Sequence, residues 1–86
     1  IAAKLPLAGG TLTGSLTVTG NVLPEANGTR DLGADGTRWQ NIYTSDLHLK
    51  NERGDWTIIE EEEYLSLRNN KDGRKYKFIL EEIMPL

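Results

Sequence analysis

The second half of the chain alternates between apolar and polar residues in four short runs. Three segments rich in turn-forming or charged residues, at 51–54, 60–63 and 69–73, separate these runs. A period of two places alternate side chains on one face of a β-strand, and loops this short join neighbouring strands as hairpins. The pattern predicts an antiparallel meander of about four strands over residues 46–86, apolar on one face. The apolar positions are Leu47 and Leu49, then Trp56 and Ile58, then Leu65 and Leu67, and finally Tyr76, Phe78 and Leu80.

The apolar face of this meander needs a cover that the chain does not supply. Burying one large apolar side chain stabilises a fold by about 1.5–3 kcal/mol, so nine uncovered ones are costly. The sequence contains no amphipathic helix of useful length to lie over them, and it has no cysteine to form disulfides. Other copies of the same chain are therefore the simplest cover.

The first part of the chain predicts a thin β segment. Residues 11–19 alternate strictly, with Leu12, Leu16 and Val18 on one side and a row of Thr and Ser on the other. Gly14 falls on the apolar side, which indicates a place where side-chain volume is not tolerated or where another backbone comes close. Closely packed chains would provide such a place.

The following stretch predicts turns and one helical turn. Pairs such as Asn27-Gly28 and Asp35-Gly36 dominate residues 21–36 and are typical of tight turns. Trp39, Ile42 and Tyr43 then stand at i, i+3 and i+4, a spacing that places them on one face of a helical turn. We therefore expect a slender Thr/Gly-rich segment with a turn-rich connector over residues 1–45, followed by the meander over residues 46–86.

Two motifs in the first half resemble elements of bacteriophage tail fibres and tail spikes. Residues 5–20, LPLAGGTLTGSLTVTG, match the fibre element LPLxGGTxTGxLxVxG, and residues 30–43, RDLGADGTRWQNIY, are similar to the signature DLGxxxxRWxNIY. The strands from residue 46 onward resemble a module that often ends such fibre chains. The resemblance implies a homotrimeric, largely β virion protein, assembled in the host cytoplasm, whose three chains run parallel along one axis.

Taken together, the resemblance and the one-sided sheet predict an all-β, intertwined homotrimer. The expected function is structural: the chain forms the C-terminal part of a phage tail fibre, trimerises it and presents its end to the host surface. Its expected partners are two further copies, other fibre or tail proteins, and a host glycan or protein. The predicted trimer core consists of Leu12, Leu16, Val18, Trp39, Tyr43, Leu47, Leu49, Trp56, Ile58, Leu65, Leu67, Tyr76, Phe78 and Leu80.

The charge balance argues against nucleic acid and membrane partners. Ten basic and thirteen acidic side chains give a net charge of −3, which does not attract a polyanion. No apolar run is long enough to cross a bilayer. The start at Ile1, without an initiator Met, favours a fragment of a longer chain.

Few residues suggest chemistry, and a simpler explanation is preferred for each. His48 is the only histidine, and three copies near an axis could hold a metal ion. A polar surface or interface residue is the favoured interpretation, since no cysteine or second histidine accompanies it. Alternation points Ser45 away from Asp46 and His48, so these residues do not predict a catalytic triad. We expect no enzyme activity, no metal and no cofactor.

The surface candidates lie in or beside the predicted loops. Arg53-Gly54-Asp55 spells the tripeptide that integrins read, but Gly54 is equally explained as a turn residue with positive φ. The acidic run 60–63 lacks the ligand spacing of a Ca²⁺ loop and favours a solvated hairpin tip. Tyr64 is the aromatic residue most expected to lie outside. The host-contact candidates are Arg53, Asp55, Glu61, Glu62, Tyr64 and Lys71.

Two other functions are weighed against the structural one. In a glycan-binding tip, exposed aromatic rings and loop carboxylates would hold a host saccharide. A fibre domain that hydrolyses polysaccharide would need two carboxylates about 5–10 Å apart in a cleft, and hairpin loops alone form no cleft.

Overall fold

The computed structural model describes residues 8–84 and shows an all-β protein. The chain divides into two compact units, Ile1–Arg30 and Asp31–Leu86, and all strands belong to the second. None of the described residues is helical. Accordingly, this part of the chain offers no helix with the length and hydropathy needed to cross a membrane.

Four strands form a single antiparallel sheet. They are β1 Asp46–Lys50, β2 Asp55–Glu60, β3 Leu65–Asn69 and β4 Lys75–Lys77, in the spatial order β1-β2-β3-β4. Each strand pairs with the next one in sequence. The predicted four-stranded antiparallel meander is therefore confirmed.

The strand register gathers the apolar residues on one face. Leu47 lies opposite Ile58, Ile58 opposite Leu67, and Leu67 opposite Tyr76, so an apolar row crosses all four strands. Leu49 pairs with Trp56 on the same face. Because side chains alternate along each strand, His48, Thr57, Arg68 and Lys75 form a polar row on the opposite face.

In the β1–β2 loop, the side chain of Asn51 caps the turn, and Gly54 lies against the indole of Trp56. The carboxamide Oδ1 of Asn51 accepts hydrogen bonds from the amides of Arg53 and Gly54, at 2.8 and 3.1 Å. The prediction of a positive φ at Gly54 is wrong, since only Gly9, Gly28, Gly33 and Gly73 have one among the described residues. A Cβ at Gly54 would instead lie 3.1 Å from Nε1 of Trp56, so a side chain there would require the indole to shift.

The other two loops differ from the predicted bounds by one residue. Glu60 still belongs to β2, so the second loop covers 61–64 and includes Tyr64. The third covers 70–74 and turns at Gly73, whose φ of +77° suits glycine. Its amide donates to the carbonyl of Asn69 at 2.8 Å.

Strand β4 is shorter than predicted and leaves Leu80 outside the sheet, 72% exposed. The last ladder contact is the amide of Phe78 donating to the carbonyl of Leu65 at 3.1 Å. β3 begins at Leu65, and residues 61–64 form the loop before it. The chain beyond Phe78 therefore has no strand residue opposite it, which explains why the β3–β4 ladder ends there.

The predicted helical turn at Trp39, Ile42 and Tyr43 is wrong. The connector instead folds through a tight turn in which Ala34 and Thr37 exchange backbone hydrogen bonds of 3.1 and 3.2 Å. An isolated helical turn fixes several dihedral angles for one hydrogen bond, and no packing compensates that cost here. Gly33, with a φ of +88°, leaves room for the indole of Trp39, whose Cδ1 would lie 3.2 Å from a Cβ at that position.

The predicted thin β segment is not a strand in the single chain. A strand needs a neighbour for its backbone hydrogen bonds, and the described part of Ile1–Arg30 provides none alongside residues 11–19. Further along, the ion pair of Glu25 and Arg30 and the bond from the Thr29 hydroxyl to the Ala26 carbonyl brace a turn. Residues 5–7 of the first fibre-like motif lie outside the described range.

Candidate interaction surface

The most extensive candidate site is the apolar side of the sheet, hereafter the apolar face. The apolar face consists of two rows of cross-strand neighbours, one from Leu47 to Tyr76 and one formed by Leu49 and Trp56. Leu65 and Phe78 extend it at the β3–β4 end. Eight of the predicted trimer-core residues thus share one surface. They are Leu47, Leu49, Trp56, Ile58, Leu65, Leu67, Tyr76 and Phe78.

The apolar face is open to solvent in the single chain. Five of its side chains remain 38–48% exposed, and Trp56, Ile58 and Leu67 are half-buried. None of the described hydrophobic residues is buried, so this part of the chain has no apolar core of its own. Because contiguous exposed apolar surface marks interaction sites in soluble proteins, the face is suited to contact with another protein surface.

The buried side chains lie on the opposite, polar face. Thr57 and Ser66 are only 1% and 2% exposed. Both have short side chains that longer polar neighbours cover. The sheet therefore buries small hydroxyl residues, while its large apolar residues stay accessible.

Asn70 ties the polar face together at the centre of the sheet. Its Nδ2 donates to Oγ1 of Thr57 at 2.9 Å and to Oδ1 of Asp55 at 3.0 Å, and its Oδ1 accepts from Nε of Arg68 at 2.9 Å. Thr57 Oγ1 also lies 3.1 Å from Nδ1 of His48. We name these five residues, His48, Asp55, Thr57, Arg68 and Asn70, the polar cluster.

A second set of polar contacts surrounds Ser66. Its hydroxyl donates to Oε2 of Glu61 at 2.7 Å, and the ammonium of Lys75 reaches the same oxygen at 2.9 Å. The hydrogen bond from Lys75, followed by the one from Ser66, lowers the pKa of the Glu61 carboxyl below its usual 4.5. Every buried polar side-chain atom among the described residues has a hydrogen-bond partner.

The host-contact candidates fall into two groups. Arg53, Glu62, Tyr64 and Lys71 are exposed on the loops. Asp55 and Glu61 are half-buried and already bound by Asn70 and Lys75, respectively. Asp55 lies in β2 and not on a loop tip, so the tripeptide that includes Arg53 is not presented as one exposed unit.

The remaining predicted trimer-core residues lie outside the sheet and are exposed. Trp39 and Tyr43 are 62% and 93% exposed, although burial was the expectation for Trp39. Leu12, Leu16 and Val18 are exposed in the leading unit. Without an apolar partner in the single chain, none of these side chains has a cover.

The structure offers no metal centre in residues 8–84, where no three His, Asp or Glu side chains lie close enough to share an ion. The imidazole of His48 is engaged with Thr57 on the polar face. In the connector, Arg38 donates to the backbone carbonyl of Asp35 at 3.2 Å.

A shallow depression of about 190 Å³ opens beside the β3–β4 hairpin. The ring of Tyr64 borders it, with the ammonium of Lys77 4.8 Å from the ring centre. Its lining residues are Tyr64, Ser66, Lys75, Tyr76 and Lys77.

Comparison with known proteins gives no relative. No family model, curated protein or solved structure matches the chain. The functional argument therefore depends on the residues and geometry described above.

The sequence pattern missed the polar cluster. Asn70 was assigned to a hairpin loop, and Thr57 and Ser66 only to the polar side of their strands. One signal was present: Thr and Ser are small enough to be covered by neighbouring long polar side chains, so polar alternation does not imply exposure.

Proposed function

We propose that this chain is the C-terminal part of a trimeric phage tail fibre protein, in which it joins three chains and presents the fibre end to the host surface. In this role it is a structural virion protein and not an enzyme. The observation that carries the proposal is the exposed apolar face of a sheet that has no apolar core of its own. The two fibre-like motifs supply the family and the number three.

The physical argument is the cost of leaving the apolar face in water. Each of its side chains contributes to stability only when another surface removes it from solvent. Three copies with these faces turned inward would bury them together. Residues 11–19 would then gain, from the neighbouring chains, the strand partners that they lack in a single chain.

The mass of the protein in solution tests this proposal. Light scattering after size exclusion is expected to give about 29 kDa, three times the 9.6 kDa of one chain. A folded species of one chain's mass that persists on dilution would contradict the proposal.

A matched pair of variants identifies the surface responsible. Leu49→Lys places a charge on the apolar face at a side chain that is exposed in the single chain, and we expect it to lower the mass to one chain. Glu63→Gln changes the net charge by the same amount in the 61–64 loop, and the trimer is expected to persist.

The depression beside Tyr64 favours a second candidate function, a glycan-binding tip. Aromatic rings stack on sugars, and hydroxyl and ammonium groups nearby can donate to sugar oxygens. Because Lys77 occupies one face of the Tyr64 ring, a sugar would stack on the other. Binding on a glycan array that Tyr64→Ala abolishes, with the trimer intact, would support this function, and no binding by the parent protein would refute it.

A further inference from the structure

We infer that neighbouring copies join edge to edge, with β4 of one copy pairing antiparallel to β1 of the next so that Lys77 lies opposite Asp46. This inference rests on the proposed trimer and names the contact that closes it. A sheet edge is a template for another strand because its outer N–H and C=O groups have no partner in the sheet. The order β1-β2-β3-β4 makes β1 and β4 the two edge strands.

The hydrogen-bond pattern shows which residues offer backbone groups at each edge. The amide of Asn51 donates to the carbonyl of Gly54 at 2.9 Å, and bonded and non-bonded pairs alternate along an antiparallel ladder. The backbone groups of Asp46, His48 and Lys50 therefore point away from β2. In the same way, the amide of Phe78 donates to the carbonyl of Leu65, so Phe78 and Leu65 form a hydrogen-bonded pair. Because such pairs alternate along the ladder, the backbone groups of Lys75 and Lys77 point away from β3.

The even number of strands makes the two edges compatible. β1 and β4 run in opposite directions, so copies that run parallel around an axis present β4 of one antiparallel to β1 of the next. Such a contact uses a different edge on each partner. It closes into a ring when the rotation that relates neighbouring copies is a whole fraction of a full turn. Three copies would form twelve antiparallel strands, with every apolar face on the inner side.

Charge selects one register among those that the alternation allows. With Lys77 opposite Asp46, opposite charges meet on the polar face and Tyr76 meets Leu47 on the apolar face. Opposite charges and apolar pairs directly across two strands stabilise their pairing. Both Asp46 and Lys77 are exposed in the single chain and so are accessible to a partner.

The neighbouring registers are worse. A shift of two residues in one direction keeps an apolar pair, Tyr76 with Leu49, but brings Lys75 opposite Lys50. A shift of four brings Lys77 opposite Lys50. A shift of two in the other direction places Tyr76 beyond the first residue of β1, where it loses Leu47. Of these registers, only the one with Lys77 opposite Asp46 forms an apolar pair between β1 and β4 without placing like charges opposite each other within the two strands.

Disulfide trapping tests this contact directly, since the protein contains no cysteine. In the inferred register Leu47 and Tyr76 form a non-hydrogen-bonded pair, whose Cα atoms lie about 4.5 Å apart, within the range of a disulfide. Within one copy the same residues are separated by two intervening strands, so only a bond between copies is possible. The double variant Leu47→Cys/Tyr76→Cys should therefore oxidise to a covalent trimer on a non-reducing denaturing gel.

The matched control is Leu47→Cys/Phe78→Cys, which reports the register shifted by two and is expected to remain uncrosslinked. Three outcomes would overturn the edge contact but not the trimer, provided that the solution mass is three chains. They are a covalent trimer from the control variant, a covalent dimer only, and no crosslink in either variant. A one-chain mass for the parent protein would overturn both.

A charge exchange tests the register without cysteines. Asp46→Lys should raise the dissociation constant of each edge contact about two- to fivefold, and adding Lys77→Asp in the same chain should restore it. Failure of the second change to restore assembly would contradict the inferred register.

Discussion

The side-chain amide of Asn70 donates to the hydroxyl of Thr57 at 2.9 Å, across the polar face of the sheet. Asn70 follows the end of β3, while Thr57 lies in the middle of β2 and is almost fully buried. The backbone amide of Asn70 also donates to the carbonyl of Asp55 at 2.8 Å. This one residue therefore fixes the β3–β4 loop to the centre of the sheet.

Removing the Asn70 side chain is expected to destabilise the sheet. Asn70→Ala deletes the donors to Thr57 and Asp55 and the acceptor of Arg68, and the loss of buried partners should lower the free energy of unfolding by about 1–3 kcal/mol. Urea unfolding at fixed protein concentration measures this change. Asn41→Ala, the same substitution at an exposed residue, should have little effect, and equal losses in the two variants would contradict the role of Asn70.

The tautomer of His48 follows from the same hydroxyl. Thr57 Oγ1 accepts from Nδ2 of Asn70 and lies 3.1 Å from Nδ1 of His48. We predict that the Thr57 hydroxyl donates its own proton to Nδ1, which leaves Nδ1 as the unprotonated nitrogen of the neutral imidazole. Long-range ¹H–¹⁵N NMR of the neutral imidazole should show the proton on Nε2. In Thr57→Val the preference should weaken, whereas a proton on Nδ1 in the parent protein would contradict this arrangement.

Gly54 should not tolerate even a methyl group without a shift of Trp56. A Cβ at this position would lie 3.1 Å from the indole Nε1, so Gly54→Ala should cost about 1–2 kcal/mol and move the Trp56 indole N–H resonance. Gly36→Ala is the control, because a Cβ there has nothing within 4 Å. Thermal unfolding with ¹H–¹⁵N spectra measures both effects, and an unchanged Trp56 resonance in Gly54→Ala would refute the contact.

Glu61 should make stability depend on pH. Its pKa is lowered in the folded protein, so its contribution is complete above its usual pKa of 4.5 and is lost as the pH falls through the lowered value. The parent protein should therefore exceed Glu61→Gln in unfolding free energy at pH 7, and the difference should shrink as the pH falls below 4.5. Urea unfolding across this pH range checks the prediction, and a difference that does not vary with pH would contradict it.

The sequence was sufficient for the strands because their signal is local. Alternation in runs such as Trp56 and Ile58 fixes which side chains share a face, and short loops fix antiparallel neighbours. The end of β4 was missed because it depends on where the partner strand begins: β3 starts at Leu65, so Leu80 has no strand residue opposite it. A pattern read along one run does not show where the strand beside it will start.

The region around Trp39 could not be predicted from spacing alone. A spacing of three and four residues suits a helical turn, but the chain forms a tight turn between Ala34 and Thr37 instead, and the indole of Trp39 lies beside Gly33. The polar cluster was missed for a related reason. Its members come from three strands and a loop, and Asn70 acquires its role only when the sheet has formed.

Every strand of the sheet pairs with its neighbour in sequence, and this connectivity has a kinetic consequence. Contacts between nearby parts of a chain form quickly, so each newly made chain can fold its hairpins before it meets another copy. In the proposed trimer such a single chain is only a transient intermediate, because its apolar face remains in water until other copies cover it. The polar cluster would then act early, by fixing the strand register before the chains meet.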